Sequence, residues 1–318
     1  MILVTGANGF VGSALVARLA RDGRDVLAGI RSTSTVPSPG MRVVSLGDLA
    51  EQGSRESLLA GVSCVVHAAA RVHVLNDRAR DPLTEFRRVN VDGTLMLARQ
   101  AARAGVRRFL FVSSIKVNGE KTTPGRPFLA TDPPQPSDAY GKSKQEAEAG
   151  LLELGRTTGF EIVIVRPPLV YGPGVRANFR ALMKLLRSGW PLPFGAIDNR
   201  RSLIGINNLV DILVTCIDTR TVVNETFLVS DDHDVSTTGL MQRLAVALNV
   251  RPRLLRIPPR VLTGAGALLG VSERMRRICE SLQVDISATK HTLKWQPRYT
   301  LDQELAATAE HFLREARV

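Results

Sequence analysis

The sequence is poor in cysteine and in aromatic residues. Its three cysteines, Cys64, Cys216 and Cys279, lie far apart and form no CxxC or Cys/His pattern, so neither a disulfide framework nor a zinc site is expected. Aromatic residues are only 5% of the chain and are not interleaved with the scattered Lys and Arg residues, although the net charge is +12. Because a nucleic-acid surface usually combines basic and stacking side chains, we expect no nucleic-acid partner and no metal.

Long apolar stretches are also missing. The longest candidate, VLTGAGALLGV from Val261 to Val271, is about half of the roughly 20 residues that a membrane-spanning helix needs, and it is expected to be a buried helix. The first residues, MILVTG, have neither the basic nor the long apolar segment of a signal peptide and are typical of a strand. We therefore expect a cytoplasmic protein without a membrane span.

The first half of the chain alternates apolar runs of strand length with helical patterns. Helices are expected at Val11 to Arg21, Ser54 to Ala60, Pro82 to Ala104 and Ala139 to Arg156. This alternation predicts βαβ units, and hence an α/β fold of the Rossmann type: a doubly wound parallel sheet followed by a smaller mixed α/β C-terminal domain. The strands are expected at MILVT, DVLAGI, RVVSL, CVVHA, RFLFVSS and EIVIVRP.

After Pro167 the sequence pattern changes to short segments that contain Gly and Pro, followed by several predicted helices. We predict an NAD(P)-binding domain at residues 1–166, to which a βα pair at about 203–220 returns. The substrate domain is predicted to comprise residues 167–202 and 221–318.

A glycine turn follows the first predicted strand. VTGANGFVG places Gly6, Gly9 and Gly12 at the head of the βαβ series. Glycine permits the tight turn, the close approach of backbone to a pyrophosphate and close helix packing, while the helix N-terminus faces the anion. A lone glycine pattern is weak evidence, but its position between a strand and a helix meets the requirement for a dinucleotide site.

The end of the second predicted strand carries no acidic residue for a ribose 2′-hydroxyl. Arg31 and Ser32 stand there, and Asp25 precedes the strand at its wrong end. A guanidinium and a hydroxyl suit a 2′-phosphate, so NADP(H) is favoured and NAD(H) is possible. The alternative is that Arg31 is solvated or stacks on the adenine.

A tyrosine and a lysine form the predicted catalytic pair. In DAYGKSKQEAE, Tyr140 and Lys144 are four residues apart and lie on one face of a helix. A nearby ammonium and the positive nicotinamide are expected to lower the tyrosine pKa into a working range. Ser114 ends the fifth strand, at the sheet edge where such folds bind ligands, and is expected to bond the same substrate oxygen.

Taken together, these motifs resemble an extended short-chain dehydrogenase/reductase of the NAD-dependent epimerase/dehydratase family. The resemblance covers nearly the whole chain through TGANGFVG, GDL, HAAA, VNVDGT, VSS, YGKSK, RPPLVYGPG and LKWQPRYTLDQEL. It implies a possible homodimer through two helices of the first domain. It also implies that Tyr140 and Lys144 act on the substrate and hold the nicotinamide ribose. With the glycine turn, the predicted cofactor set is Gly6, Asn8, Gly9, Phe10, Val11, Gly12, Arg31, Ser32, Asp48, Leu49, Ala68, Ala69, Ala70, Asn90, Ser113, Tyr140, Lys144 and Pro167.

The predicted substrate residues are less specific. Arg201 matches the family's diphosphate-binding arginine and could equally bridge the two domains, while Lys116 could be solvated or meet a phosphate. An asparagine that many relatives carry is replaced by Leu169, and Asn178 could supply its contact. Ser114 completes this set. Asn90 is expected to bond backbone near the fifth strand rather than substrate.

His67 is expected to be a strand-end histidine rather than an acid or a ligand. Ser113 is expected to support the nicotinamide or the backbone.

The residues after Ser114 narrow the reaction. The family's 4,6-dehydratases place an Asp-Glu pair where this chain has Ile115 and Lys116, so elimination is not expected, and decarboxylation is disfavoured for a similar reason. Hydride transfer at C4 of a UDP-sugar needs only Tyr140, Ser114 and the cofactor. Arg31 and a resemblance to proteins of surface-polysaccharide (O-antigen) synthesis favour NADPH-dependent reduction of a UDP-4-keto-6-deoxy-N-acetylhexosamine. The alternatives are a UDP-glucose or UDP-N-acetylglucosamine 4-epimerase with retained NAD and, less favoured, a non-catalytic NADP sensor.

Overall fold

A computed structural model gives the structure of residues 1–32, 41–51, 53–72, 81–123, 125–268 and 270–316. Its central element is a seven-stranded parallel sheet in the order β3-β2-β1-β4-β5-β6-β9, and β7 and β8 form a separate parallel pair. In chain order the strands are β1 (Ile2–Thr5), β2 (Val26–Ile30), β3 (Arg42–Ser45), β4 (Cys64–His67), β5 (Arg108–Val112), β6 (Glu161–Arg166), β7 (Leu169–Tyr171), β8 (Leu203–Gly205) and β9 (Glu225–Leu228).

Helices cover both faces of the large sheet. In chain order they are α1 (Phe10–Arg21), α2 (Glu56–Leu59), α3 (Pro82–Arg87), α4 (Gly93–Arg103), α5 (Ala139–Thr158), α6 (Ala177–Arg187), α7 (Ile206–Asp218), α8 (Thr237–Ala247), α9 (Pro259–Leu268), α10 (Ser272–Cys279), α11 (Ser287–Leu293) and α12 (Leu301–Glu315). The core on one face includes α1 and α7 side chains, and the core on the other includes α4 and α5 side chains. Strands buried on both faces need continuous apolar runs, which explains the sequence pattern.

Two irregular segments lie next to the predicted site. A π-helical segment, Arg88–Asp92, joins α3 to α4. A 3₁₀ turn, Ile115–Val117, follows β5, and the Ser114 side chain caps it by accepting a hydrogen bond from the Lys116 amide at 3.3 Å. Single π turns are rare and are common at functional sites.

A second core lies beyond the sheet, where side chains of α6, α8 and α12 pack together. Its members include Phe179 and Met183 from α6, Leu244 from α8, and Leu305 from α12. This core also receives Tyr171 from β7, so the short parallel pair is packed against the C-terminal helices.

The predicted Rossmann-type fold is confirmed. The long helix expected at Pro82 to Ala104 is present as α3, the π-helical segment and α4. The division into two domains stays a proposal. We add β9 to the first domain, because β9 pairs with β6 in the large sheet, although it follows the predicted boundary at residue 221.

The apolar stretch from Val261 is not a buried helix, because α9 buries only Leu262 and Gly266. Val261 is 57% exposed and Leu268 is 90% exposed. In the described part of the chain, no helix has both the length and the hydropathy needed to cross a bilayer.

Candidate active site

The glycine turn between β1 and α1 is tightly packed. Gly6 has a φ of +65°, which favours glycine, and a Cβ on Gly12 would lie 2.1 Å from the Gly6 carbonyl oxygen. Gly9 occupies the N-cap of α1, and no side chain caps that helix. The first amides of α1 are therefore left for an anion, and the turn fits the pyrophosphate of a dinucleotide.

The end of β4 lies directly against this turn. A Cβ on Gly6 would lie 2.8 Å from the Ala69 amide nitrogen, and that amide donates a hydrogen bond to Thr5 Oγ1 at 3.2 Å. The structure therefore brings Ala68 and Ala69, two of the three predicted alanines, to the glycine turn.

The buried His67 is a structural residue. It lies between Thr5 Oγ1 at 2.7 Å and Thr94 Oγ1 at 3.0 Å. Burial and the nearby Lys144 lower the pKa of His67 to about 3. A neutral imidazole at this position agrees with the prediction of a strand-end histidine.

Asn90 fixes the chain after β4 from the π-helical segment. Its Oδ1 accepts a hydrogen bond from the Arg71 amide at 2.8 Å, and its Nδ2 donates to the Arg71 carbonyl at 3.1 Å and to Ser143 Oγ at 3.0 Å. Asn90 thus forms hydrogen bonds with backbone groups, as expected. The backbone it contacts, however, is the segment that follows β4 rather than the fifth strand. It also ties that backbone to α5, which carries the predicted catalytic pair.

Charged side chains gather at the other end of the predicted cofactor cleft. Asp48 accepts hydrogen bonds from the Ala50 amide at 3.0 Å and from Arg88 Nη1 at 3.0 Å. These bonds, together with the charge of Arg31, lower the pKa of Asp48. Arg31 and Ser32 are exposed, whereas Leu49 is buried in the core.

Ser114 and Tyr140 meet at the carboxyl end of β5. Their side chains share a hydrogen bond, and both are partly exposed. The Tyr140 ring packs edge-on against Phe86, with ring centres 6.0 Å apart. Ser113 Oγ is buried and has no hydrogen-bond partner within the described chain, so it retains bonding capacity beside Ser114. The Pro167 carbonyl closes the same edge by accepting a hydrogen bond from the Ile115 amide at 3.0 Å.

Lys144 lies one turn along α5 from Tyr140 and is buried. Its Nζ donates to the Val112 carbonyl at 2.8 Å and lies 4.3 Å from the centre of the Phe111 ring and 6.0 Å from that of Tyr140. Burial lowers the pKa of Lys144 to about 7, against the opposing charge of Glu148. The ammonium is therefore close enough to act on the phenol through space.

The pKa of Tyr140 is shifted in the direction opposite to the one expected from the sequence. Burial raises it, the charge of Asp138 raises it further, and the Ser114 hydrogen bond lowers it. Within the chain itself, loss of water around the phenol and the charge of Asp138 outweigh the Ser114 hydrogen bond. The phenol is consequently suited to donate a proton, and an added positive charge is needed to make it a base.

Replacing Lys144 with Met is expected to stabilise the protein while removing its activity. A buried charge without a carboxylate partner costs stability, so Lys144→Met should raise the free energy of unfolding at pH 7 by about 1–3 kcal/mol. Between pH 7 and 10.5 the unfolded chain keeps a proton that folded Lys144 has lost, so wild-type stability rises with pH through this window. The advantage of the variant should therefore shrink as the pH rises, as measured by denaturant unfolding.

The exposed Lys142 on the same helix provides the control for this experiment. Lys142→Met is expected to leave the pH dependence of unfolding unchanged. A Lys144→Met protein that is less stable than wild type at pH 7 would contradict the burial of an unfavourable charge.

Lys116 is held by two carboxylates. Its Nζ forms ion pairs with Asp138 and, at 3.1 Å, with Glu120. Asp138 is also the N-cap of α5, where its Oδ1 accepts a hydrogen bond from the Gly141 amide at 2.7 Å. The lysine is thus neither simply solvated nor free to meet a phosphate without giving up a carboxylate. An Asp directly before a predicted helix is the sequence signal for this cap.

Two arginines meet at the boundary between the sheet and the second core. Arg201 Nη1 donates to the carbonyls of Arg277 at 2.8 Å and of Glu280 at 3.0 Å, and burial lowers the pKa of Arg201. Arg201, Arg277 and Glu280 all belong to the predicted substrate domain, so these bonds do not join the two domains, and both predicted roles of Arg201 stay predictions. Arg277, which the sequence motifs did not single out, has a buried Nε without a hydrogen-bond partner in the described chain. Asn178 lies exposed in the first turn of α6 and is not joined by a hydrogen bond to the other described residues of the site.

A buried ion pair supports α5 from behind. Arg166 Nε donates to both Glu148 oxygens, at 3.0 Å and 3.2 Å, and Arg166 Nη1 donates to Asn118 Oδ1 at 2.9 Å. Glu148 lies one turn beyond Lys144 on the same helix, and both partners of the pair are buried. A charged residue within the apolar run EIVIVRP was the available sequence signal.

A family model described as the NAD dependent epimerase/dehydratase family matches residues 2–230. A protein of Vibrio cholerae named UDP-glucose 4-epimerase is 46% identical over 313 residues, which are 98% of this chain and 95% of that protein. Among solved structures, the UDP-glucose 4-epimerase of Thermotoga maritima with UDP-glucose is 23% identical with a TM-score of 0.81 and covers 99% of each chain.

A Thermus thermophilus UDP-glucose 4-epimerase in complex with NAD is 21% identical with a TM-score of 0.78 and covers 98% of each chain. At these identities the two structures establish the likeness of fold.

Proposed function

Because the chain belongs to the NAD dependent epimerase/dehydratase family, we propose that it transfers hydride at C4 of a UDP-linked sugar and works as a 4-epimerase that keeps its cofactor bound. The observation that carries the choice of C4 is that Ser114, Tyr140 and Lys144 are present while Lys116 occupies a position where elimination would need an acid. At residues 115 and 116, where elimination would need acids, the chain has Ile115, which is buried, and Lys116, which is paired with Asp138.

The epimerase was the first alternative to the reductase in the sequence analysis, and the relatives favour it over the reductase. The support is the 46% identical Vibrio cholerae protein, whose likeness extends over almost the full length of both chains. Since sequence similarity at this level commonly preserves reaction type, we place the epimerase first.

The chain's residues divide the proposed work between cofactor and substrate. The glycine turn and Ala68 to Ala70 would hold the dinucleotide, Asp48 would border its adenine end, and Lys144 and Ser113 would lie at its nicotinamide end. When bound, a nicotinamide cofactor accepts a hydride from C4 and returns it.

The proton chemistry falls to Tyr140 and Ser114. As the C4 hydroxyl is oxidised, the Tyr140 phenolate takes its proton, and as the 4-keto sugar is reduced on its other face, Tyr140 gives the proton back. Ser114 donates a hydrogen bond to the same oxygen and stabilises the charge that develops on it. Lys144 Nζ lies 6.0 Å from the Tyr140 ring centre, and when it is protonated, at a pH of about 7 or below, its charge would favour the phenolate.

The substrate diphosphate is assigned to the two arginines at the domain boundary. The Arg277 carbonyl accepts a hydrogen bond from Arg201, and the buried Arg277 Nε has no hydrogen-bond partner in the described chain. Arg277 Nη2 pairs with Glu120 at 3.3 Å and with Glu273 at 3.7 Å, so a phosphate would compete with these carboxylates. A planar guanidinium suits a phosphate oxygen pair. Asn178 and Lys116 stay as weaker candidates for substrate contact, and the homodimer stays a prediction.

The epimerase is tested by the fate of the cofactor. The purified protein is expected to release NAD in stoichiometric amount on denaturation, as identified by mass spectrometry. It is also expected to interconvert UDP-glucose with UDP-galactose, or the N-acetylated pair, without added nucleotide. Oxidation of added NADPH in proportion to a consumed UDP-4-keto sugar would instead identify a reductase.

The reductase is the second candidate because Arg31, which is exposed directly after β2, would suit a 2′-phosphate. If NADPH is the cofactor, Arg31→Ser should weaken its binding about tenfold or more, because a charge-assisted hydrogen bond is lost, and should leave NADH binding unchanged. Arg42→Ser, at another exposed arginine of the neighbouring strand, serves as the control. Unchanged NADPH binding in the Arg31 variant would remove the support for this candidate.

A further inference from the structure

The positive charge of the chain is concentrated by a shortage of acids in two segments. Residues 162–197 and residues 235–272 each contain five Lys or Arg residues and no Asp or Glu. The rest of the chain carries all 30 acidic residues and the remaining 32 basic ones. Almost all of the net charge of +12 therefore belongs to these two segments, although the basic residues themselves are scattered along the sequence.

The fold joins the two acid-free segments to each other. The Leu192 amide donates to the Arg253 carbonyl at 2.8 Å, and the Leu255 amide donates to the Leu192 carbonyl at 2.8 Å. Leu192 and Leu254 pair as neighbouring strand residues. Trp190 is two residues before Leu192, and α9 begins four residues after Leu255. Within these segments Arg166 pairs with Glu148, Arg180 with Glu315 and Arg243 with Asp302. Arg253 and Arg256, which lie where the two segments meet, are exposed.

Large apolar side chains are exposed in this same part. Trp190 is 73% exposed and Leu255 is 50% exposed, and the exposed Val261 and Leu268 of α9 are two turns apart on one side of that helix. On its other side α9 packs against α10, where a Cβ on Gly266 would lie 2.6 Å from Met275 Cγ. We call the exposed surface the basic apolar face and define it by Trp190, Arg253, Leu255, Arg256, Val261 and Leu268.

The arginines of this face are not neutralised by the protein. Within the described ranges, no ion pair joins Arg253 or Arg256 to a carboxylate, and both are exposed. Some exposed arginines elsewhere are paired, as Arg156 is with Glu153 and Arg314 with Glu310. The basic apolar face thus combines uncompensated positive charge with exposed hydrocarbon.

We infer that the basic apolar face docks on an anionic lipid bilayer, with α9 lying in the interface and the arginines at the headgroups. Interfacial helices use this combination of Leu, Trp and Arg side chains. Charge complementarity identifies the lipid as anionic, because a second copy of the chain would set like charges against each other. Nucleic acid would leave the exposed leucines and valine without a partner. This docking does not depend on which C4 reaction the site performs.

Vesicle sedimentation of the full chain tests this inference. The protein is expected to bind vesicles of phosphatidylglycerol and phosphatidylcholine but not vesicles of phosphatidylcholine alone, and binding should weaken with salt. Arg253→Gln with Arg256→Gln should lower the partition coefficient about 30-fold, since each basic residue near an anionic surface contributes about fivefold. Leu268→Ser should lower it on the order of tenfold through lost apolar burial.

The control is a pair of exposed arginines far from this face in sequence. Arg103→Gln with Arg314→Gln removes the same net charge and is expected to change vesicle binding less than about twofold. Because all of these side chains are exposed, the variants should keep the wild-type melting temperature. Absence of binding to the anionic vesicles, or an equal loss in the control pair, would overturn the inference. The inference would also be overturned if Leu268→Ser left vesicle binding intact and an oligonucleotide bound through Arg253 and Arg256.

Discussion

Replacing Tyr140 with Phe is expected to lower kcat by about 10²–10⁴-fold, the usual contribution of a positioned acid or base. The phenol hydroxyl is the only part of the side chain removed, and the ring can keep its edge-on packing against Phe86. Cofactor content and melting temperature should therefore stay near wild-type values. The measurement is steady-state turnover of a UDP-sugar, with cofactor content measured on the same protein sample.

Tyr299 provides the matched control for this variant. It is 41% exposed and contributes only backbone groups to the contacts of Asn208, so Tyr299→Phe should turn over at the wild-type rate. Ser114→Ala should fall between the two variants, since it removes a hydrogen bond to the reacting oxygen and leaves the proton donor in place. Near-normal turnover by Tyr140→Phe would remove Tyr140 from the mechanism.

The second large effect is expected on stability, at the ion pair behind α5. Glu148→Gln keeps the shape of the side chain but leaves the buried guanidinium of Arg166 without its counter-charge. We expect the free energy of unfolding to fall by about 3–5 kcal/mol, the usual cost of breaking a buried pair on one side. Denaturant unfolding followed by circular dichroism measures this change.

A surface pair on the same helix is the control. Glu153 pairs with Arg156, and both side chains are mostly exposed, so Glu153→Gln should cost less than about 1 kcal/mol. If the cost of Glu148→Gln is that of an uncompensated charge, the double variant E148Q/R166M should be more stable than E148Q alone. A double variant that is less stable than the single one would assign the effect to packing instead.

Much of the fold could be predicted because its determinants are local. The strands β1, β4 and β5 are short apolar runs, and strands buried in a parallel sheet require such runs. The glycine turn and the Tyr140 to Lys144 spacing are likewise visible in a few consecutive residues. Both follow directly from backbone conformation and helix periodicity.

The remainder depends on contacts between distant parts of the chain, which a local pattern does not contain. Arg277 is 76 residues from Arg201, and only the fold brings its carbonyl to that guanidinium. The direction of the Tyr140 pKa shift depends on how much water the fold excludes. The prediction that α9 is a buried helix is wrong. A buried helix and an exposed apolar helix can have the same amino-acid composition, so composition alone does not distinguish them.

The ion pair of Lys116 with Asp138 has a further consequence for the geometry of catalysis. Ser114 and Tyr140 each stand two residues from one member of that pair, and they are themselves joined by a hydrogen bond. The four residues therefore form a closed ring with two covalent sides and two non-covalent ones. If a substrate oxygen enters between Ser114 and Tyr140, as proposed, and breaks their hydrogen bond, the Lys116 to Asp138 ion pair would still set the gap between the two hydroxyls.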